Sequence, residues 1–300
     1  MQSISFEDLS TIVYVLVDNW YLVHGAKLLK GKRGQKPVFS DSEVITLMLL
    51  MDYLPYPGET QFLGFMRANY LSLFPKLLDQ SQFNRRARAL RLLVEELRKH
   101  WADMLDITLN SEFILDTKPV PVLGYKRSKR RSDFAGSATY GYCASRKMKY
   151  FGYKLVMLCT LEGIPVAYEL VPANTDERDG ADTVLSCLGN CDILGDKGFI
   201  GEEWQAEHFE SYGNCIWTPK RDNQLIQNPA DFDRWLNSRR ERIEGVFNEI
   251  QNTGRNLERL LRKTVSGLAT HVIAKVTSHT LKLLLRKQFG IDVQTFTYIS

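Results

Sequence analysis

Apolar residues recur at three-to-four spacing through the first hundred positions, and then the period shortens. Phe6, Leu9, Val13, Leu16 and Trp20 fall on one face of a first helix. Ser40-Asp41-Ser42-Glu43 has the form of a capping box, in which the serine oxygen accepts from an orphan backbone N–H and the glutamate reaches back. A helix follows through Val44, Leu47, Met48 and Met51 until Pro55, Pro57 and Gly58 end it. A third helix spans about Gln82 to Trp101, with Leu90, Val94, Leu97 and Trp101 as its buried stripe.

From Glu112 the texture is that of a sheet. Phe113-Ile114-Leu115 is a short apolar run ending at Asp116; Tyr153 to Leu161 and Ile164 to Val171 are β-branched-containing runs joined at the hairpin signal Glu162-Gly163. Asp176 to Leu188 is predicted helical, Ile193 to Gly195 a strand ending at Asp196, and Glu202 to Tyr212 a helix. Cys215 to Trp217 adds a fifth strand, and Phe232 to Asn252 a long helix holding Glu244. The pattern predicts an α/β chain: an all-helical region over residues 1–110, then a mixed five-stranded sheet with flanking helices over 111–300. Leu260, Leu268, Ile273, Leu281 and Leu285 mark amphipathic C-terminal helices expected to pack on that sheet.

Composition narrows the class. The 300 residues are 44% hydrophobic and 25% charged, which suits a globular chain with one large core and a satellite. No stretch approaches the ~18 apolar residues of a membrane span, and the N-terminus lacks a signal-peptide layout, so the expected compartment is the cytoplasm. Cys143, Cys159, Cys187, Cys191 and Cys215 lack paired CxxC spacing, and the five histidines show neither HxH nor HExxH. There is no Walker lysine motif and no GxSxG, so neither a nucleotide cofactor nor a serine hydrolase is expected.

Three carboxylates stand out by position. Asp116 ends the first predicted strand, Asp196 ends the fourth, and Glu244 lies on the helix after the fifth. Singly, each has an ordinary reading: a turn former before Pro119, a tight glycine-flanked turn, and an i,i+4 partner of Arg240. Together they suggest a site for Mg²⁺ or Mn²⁺, since two such ions ~3.5–4 Å apart can activate a water and stabilise a leaving 3′ oxygen in phosphodiester cleavage.

The net charge of +4 is too small to single out a nucleic-acid partner, but its distribution is uneven. Between the first two predicted strands lie Lys126, Arg127, Lys129, Arg130, Arg131, Arg146, Lys147 and Lys149, with Tyr140, Tyr142, Phe151 and Tyr153 interleaved. Basic groups release counterions from phosphates and aromatics stack on bases, so this stretch fits a DNA groove; a solvated basic loop fits too. Arg85, Arg86 and Arg88 on the third helix, and Lys197 beside Asp196, are further candidates for DNA contact.

These residues fall in segments that resemble the DDE transposases of bacterial insertion sequences, in particular the insertion-sequence-982 family. The segments are FSDSEVITLMLL (39–50), QFNRRARALRLL (82–93), ILDTKPVPV (114–122), FGYKLV (151–156), LEGIPVAYELVPANTDERDG (161–180), ILGDKGFIG (193–201), RRERIEGVFNEI (239–250) and KTVSGLATHVIAKVTSHTL (263–281). The resemblance implies a ribonuclease-H-like domain with Asp116, Asp196 and Glu244 as its metal-binding catalytic triad, and Arg240 orienting the glutamate or contacting phosphate. It also implies cleavage of double-stranded DNA at terminal inverted repeats, joining of the 3′-OH ends to target DNA with two Mg²⁺ or Mn²⁺ ions, and a homodimer on DNA. Where the wider group has a tyrosine and a lysine on the glutamate helix, this chain has Asn237 and Gln251, so that lysine's phosphate role is not carried over. Two rivals remain: a ribonuclease-H-type nuclease without strand joining, and a non-cutting DNA-binding protein derived from a transposase.

Overall fold

The computed structural model describes residues 4–29, 37–123, 132–143, 146–254, 256–257 and 263–293. In chain order the elements are α1 (Phe6–Trp20), a π turn (Tyr21–Gly25), α2 (Ala26–Leu28), α3 (Asp41–Leu50), α4 (Glu59–Asn69), α5 (Gln80–Asp103), β1 (Glu112–Leu123), β2 (Thr139–Cys143), β3 (Met148–Thr160), β4 (Pro165–Pro172), α6 (Glu177–Leu185), β5 (Asp192–Leu194), α7 (Glu202–Tyr212), β6 (Cys215–Trp217), α8 (Ala230–Asn252) and α9 (Val265–Phe289). They divide into a helical unit, Met1–Leu105 with Ile250–Ser300, and a sheet unit, Asp106–Glu249.

In the helical unit local chemistry sets the helix starts. Ser5, Ser40, Asp79 and Thr264 each accept a backbone N–H as N-caps, an interaction worth about 1 kcal/mol apiece. The Ser40–Glu43 box forms as the sequence indicates, with both reciprocal bonds present. On α1 the buried stripe takes Val17 in place of Leu16, which stays partly exposed. Helix α4 follows Gly58 directly and was not foreseen.

The C-terminal helix corrects the expected domain split. α9 packs against α5 and α3 in the helical unit, not on the sheet. Several of its polar residues are buried and paired there. Lys275 Nζ lies 3.3 Å from Asp52 Oδ1 and donates to the Thr253 carbonyl, Tyr53 donates its hydroxyl to the Ser278 carbonyl, and Ser278 Oγ donates to the Leu49 carbonyl.

In the sheet unit six strands pair among the described residues, one more than expected, in the order β2-β3-β1-β5-β6, with β4 pairing β3. The additional strand is β2, within the basic, aromatic-interleaved stretch between the first two predicted strands; β2 and β4 take successive halves of one side of β3. β1, β3 and β4 run antiparallel, while β5 and β6 run parallel to β1. With α6 and α7 as the crossovers to β5 and β6, this is the ribonuclease-H-like arrangement.

β1 is longer than Phe113–Asp116 because Pro119 and Pro121 do not end it. Beyond Ile114 its β5 side has no strand neighbour among the described residues, and a proline without an N–H is tolerated on such an edge. Alternation sends Phe113 and Leu115 into the core shared with α6, together with Val156, Val184 and Ile193. Asp116 therefore faces the opposite side, and Thr117 returns to the α6 side.

Candidate active site

The parallel pairing of β1 with β5 determines where the two aspartates meet. Glu112, Phe113 and Ile114 lie beside Asp192, Ile193 and Leu194. Asp116 and Asp196 each lie two residues past the last pair, so both leave the same end of the parallel pair at the same level. β5 stops there: Asp196 turns into a 3₁₀ turn, Lys197–Phe199, and accepts the N–H of Gly198 on Oδ1 at 2.8 Å. Asp116 is not at a strand end, as the sequence suggested, but mid-strand, where its β5 neighbour gives out.

Glu244 arrives on α8. Leu236, Ile243, Val246 and Phe247 are buried, and Arg240, Glu244 and Phe247, at i, i+4 and i+7, all line the same cleft. Arg242 helps to place the helix, donating Nε and Nη2 to the Glu162 carbonyl at 3.1 and 2.7 Å. Gly163, in the same hairpin turn, has φ +84 and an ideal Cβ there would meet Arg242 Nε and Val246 Cγ2 at 2.9 Å, so the turn requires glycine for both backbone and space.

Asp116, Asp196, Glu244 and Arg240 thus line one cleft of about 560 Å³, along with Lys118, Tyr142, Arg146, Lys154 and Glu177. Asp116 is only 14% exposed at its side chain. Burial, then the Asp196 charge, raises its pKa to about 7, against the Thr117 N–H and Arg240, which favour the charged form. The Arg240 guanidinium comes within 4.0 Å of Asp116, and its buried Nε has no hydrogen-bond partner among the described residues.

Carboxylate oxygens are the donor set suited to Mg²⁺ or Mn²⁺, and a buried aspartate held beside other acids fits a position that a cation would neutralise. Among the described residues no three Asp, Glu, His or Cys side chains are already closed around one ion position. The acids line the cleft together.

One further carboxylate of the cleft is not among those the sequence singles out. Glu177 opens α6, and its pKa is raised by burial and then by the Asp196 charge. Thr117 donates its hydroxyl to Glu177 Oε1 at 3.1 Å and its N–H to Asp116 Oδ1 at 2.7 Å, bridging the two acids. Lys154 lies 3.9 Å from Glu177 Oε1. The available signal was an acid in the first turn of the helix that follows the third antiparallel strand.

The DNA-contact candidates fare differently. Arg146 and Tyr142 are exposed on the cleft, Lys147 and Lys149 are exposed beside it, and Lys197 is exposed, 3.6 Å from Asp222. Tyr140 is exposed too, but Phe151 and Tyr153 are buried, Tyr153 sharing a hydrogen bond with Ser137, so neither is available for base stacking. Lys126, Arg127, Lys129, Arg130 and Arg131 lie outside the described residues. In the helical unit Arg85 is exposed, whereas Arg86 is committed to Asp41 at 2.6 Å and to the Phe39 carbonyl. Arg88 is half-buried against a small internal cavity that Glu59 also lines.

Comparison with known proteins gives one family match: the model described as a transposase DDE domain covers residues 108–281. No curated protein matches. Among solved structures, a Mos1 transposase paired-end complex with left transposon end is similar at 12% identity, covering 77% of this chain and 83% of that one with a TM-score of 0.21, a likeness too low to carry an argument.

Proposed function

Because the chain belongs to the transposase DDE domain family, we propose that Asp116, Asp196 and Glu244 hold two divalent ions, Mg²⁺ or Mn²⁺, in an enzyme that cuts and rejoins DNA. Its substrate is the terminal inverted repeat of an insertion sequence of the 982 type, and its product is the 3′-OH end joined to target DNA. The observation that carries this reading is the common exit of Asp116 and Asp196 from one end of the β1–β5 pair into the cleft that Glu244 also lines. Bound there, the ions supply activation of the attacking oxygen and stabilisation of the leaving 3′ oxygen in an in-line displacement.

The chain's own residues do the holding and aiming. Thr117 fixes one Asp116 oxygen through its N–H, and the Gly198 N–H fixes one of Asp196. That leaves Asp116 Oδ2, 4.0 Å from Arg240, and the second Asp196 oxygen for the cleft. Arg240, with an unpaired Nε and a terminal nitrogen near Asp116, is placed to hold a phosphate oxygen at the reacting centre. Tyr142, Arg146 and Lys149 grip the duplex beside it. The helical unit, with Arg85 exposed on α5, recognises the element ends, and two copies pair the ends together in the cytoplasm. Among the described residues no helix is long and apolar enough to cross a membrane.

The test is cleavage of a labelled duplex carrying the element's ends with Mg²⁺ or Mn²⁺. Asp116→Ala, Asp196→Ala and Glu244→Ala are each expected to abolish nicking at the boundary while retaining DNA binding. Variants that cut as well as the wild type would overturn the assignment.

A further inference from the structure

The cleft holds a fourth carboxylate whose position none of the three acids above explains. Glu177 reaches across from α6, on the opposite face of β1 from Asp116, and its two oxygens have different surroundings. Oε1 accepts the Thr117 hydroxyl and lies near Lys154. Oε2 has no hydrogen-bond partner among the described residues and lies against Gly198 in the turn that follows Asp196. An ideal Cβ on Gly198 would be 1.6 Å from Glu177 Oε2 and 2.9 Å from Asp196 Oδ1, so those two oxygens are no further apart than the sum of the two distances. The absence of a side chain at Gly198 is what lets the two acids approach.

Such an approach between two charged acids is unfavourable unless a cation or a shared proton lies between them. Lys154 does not fill that place: it is on the Oε1 side and donates to the Thr175 carbonyl. We propose that Glu177 is a metal-site carboxylate, contributing Oε2 to a divalent cation shared with Asp196. The inference rests on the reading of Asp116, Asp196 and Glu244 as an ion-binding set. Thr117 is then a positioning residue for both sides, because one residue holds Asp116 through its backbone and Glu177 through its hydroxyl.

The experiment is titration of the full-length protein with Mn²⁺ in the absence of DNA, reading free Mn²⁺ by electron paramagnetic resonance. It compares wild type, Glu177→Gln, Glu177→Asp, Asp116→Asn and Asp196→Asn, with thermal melts in EDTA confirming that each is folded. Glu177→Gln keeps the size and can still accept from Thr117 but loses the charge; it is expected to weaken one Mn²⁺ site at least tenfold, with partial recovery in Glu177→Asp. In the cleavage assay the same variant should need more Mg²⁺ for half-maximal rate. If Glu177→Gln binds Mn²⁺ like the wild type while both aspartate variants do not, Glu177 is outside the metal site and the three-carboxylate reading stands. If no variant changes Mn²⁺ binding, that reading falls and this proposal with it.

Discussion

On the proposed function, Asp116 ties metal binding to pH. With its folded pKa raised to about 7, the folded protein still holds a proton there that the unfolded chain releases near its ordinary carboxylate value. Stability from this group is therefore lost as pH rises from about 4 to about 8. In EDTA, urea denaturation of the wild type should lose on the order of a few kcal/mol across that window relative to Asp116→Asn, which has no proton to release. A flat difference between the two would show that Asp116 ionises normally. Divalent ions require the charged form, so the rise in melting temperature on adding Mg²⁺ should be larger at pH 8 than at pH 6, about one step either side of that pKa. Gly198 supplies a second expectation. Alanine there meets the movable end of Glu177, so folding should survive while cleavage falls about tenfold or more, a loss of ~1.4 kcal/mol of transition-state stabilisation; unchanged cleavage would mean that the close approach is dispensable.

α8 is the element whose placement matters most, because it alone delivers Glu244 and Arg240. Its tie to the β3–β4 hairpin, from Arg242 to the Glu162 carbonyl, is made by residues that do not line the cleft. Arg242→Ala is therefore expected to lower the cleavage rate several-fold while DNA affinity stays within about twofold, because a small misplacement of a catalytic group costs rate before it costs binding. Equal loss of binding and rate would point instead to a direct DNA contact by Arg242. β1 shows the converse: its length was hidden because Asp116-Thr117-Lys118-Pro119 has turn composition, and only its pairing with β3 through Leu123 makes it a strand.

For the whole molecule, the chain's end belongs with its beginning. Removing α9 takes away 25 helical residues, but because α9 packs on α3 and α5 the expected loss of far-ultraviolet ellipticity is larger than those residues account for. A loss proportional to 25 residues would mean that the N-terminal helices stand alone. Within that unit Lys275→Met removes the ammonium from the buried Asp52 pair, and is expected to destabilise by ~3–5 kcal/mol in urea denaturation.

Local signals in the sequence were sufficient for what depends on neighbouring residues. The Ser40 capping box, the Glu162-Gly163 hairpin, and the extents of α7 and β6 follow from side-chain–backbone bonds and periodicity within a few positions. Asp116, Asp196 and Glu244 could be proposed as a set because each falls in a segment with family likeness, and the structure places all three on one cleft. What required the tertiary structure was everything set by partners distant in the chain. β1 continues through two prolines because one edge has no strand neighbour among the described residues, α9 buries a lysine because Asp52 receives it, and Phe151 and Tyr153 turn inward because β3 is covered. Glu177 reaches the cleft for the same reason: it lies 61 positions after Asp116 and 19 before Asp196 in the sequence, and only the placement of α6 brings it to Thr117 and Gly198.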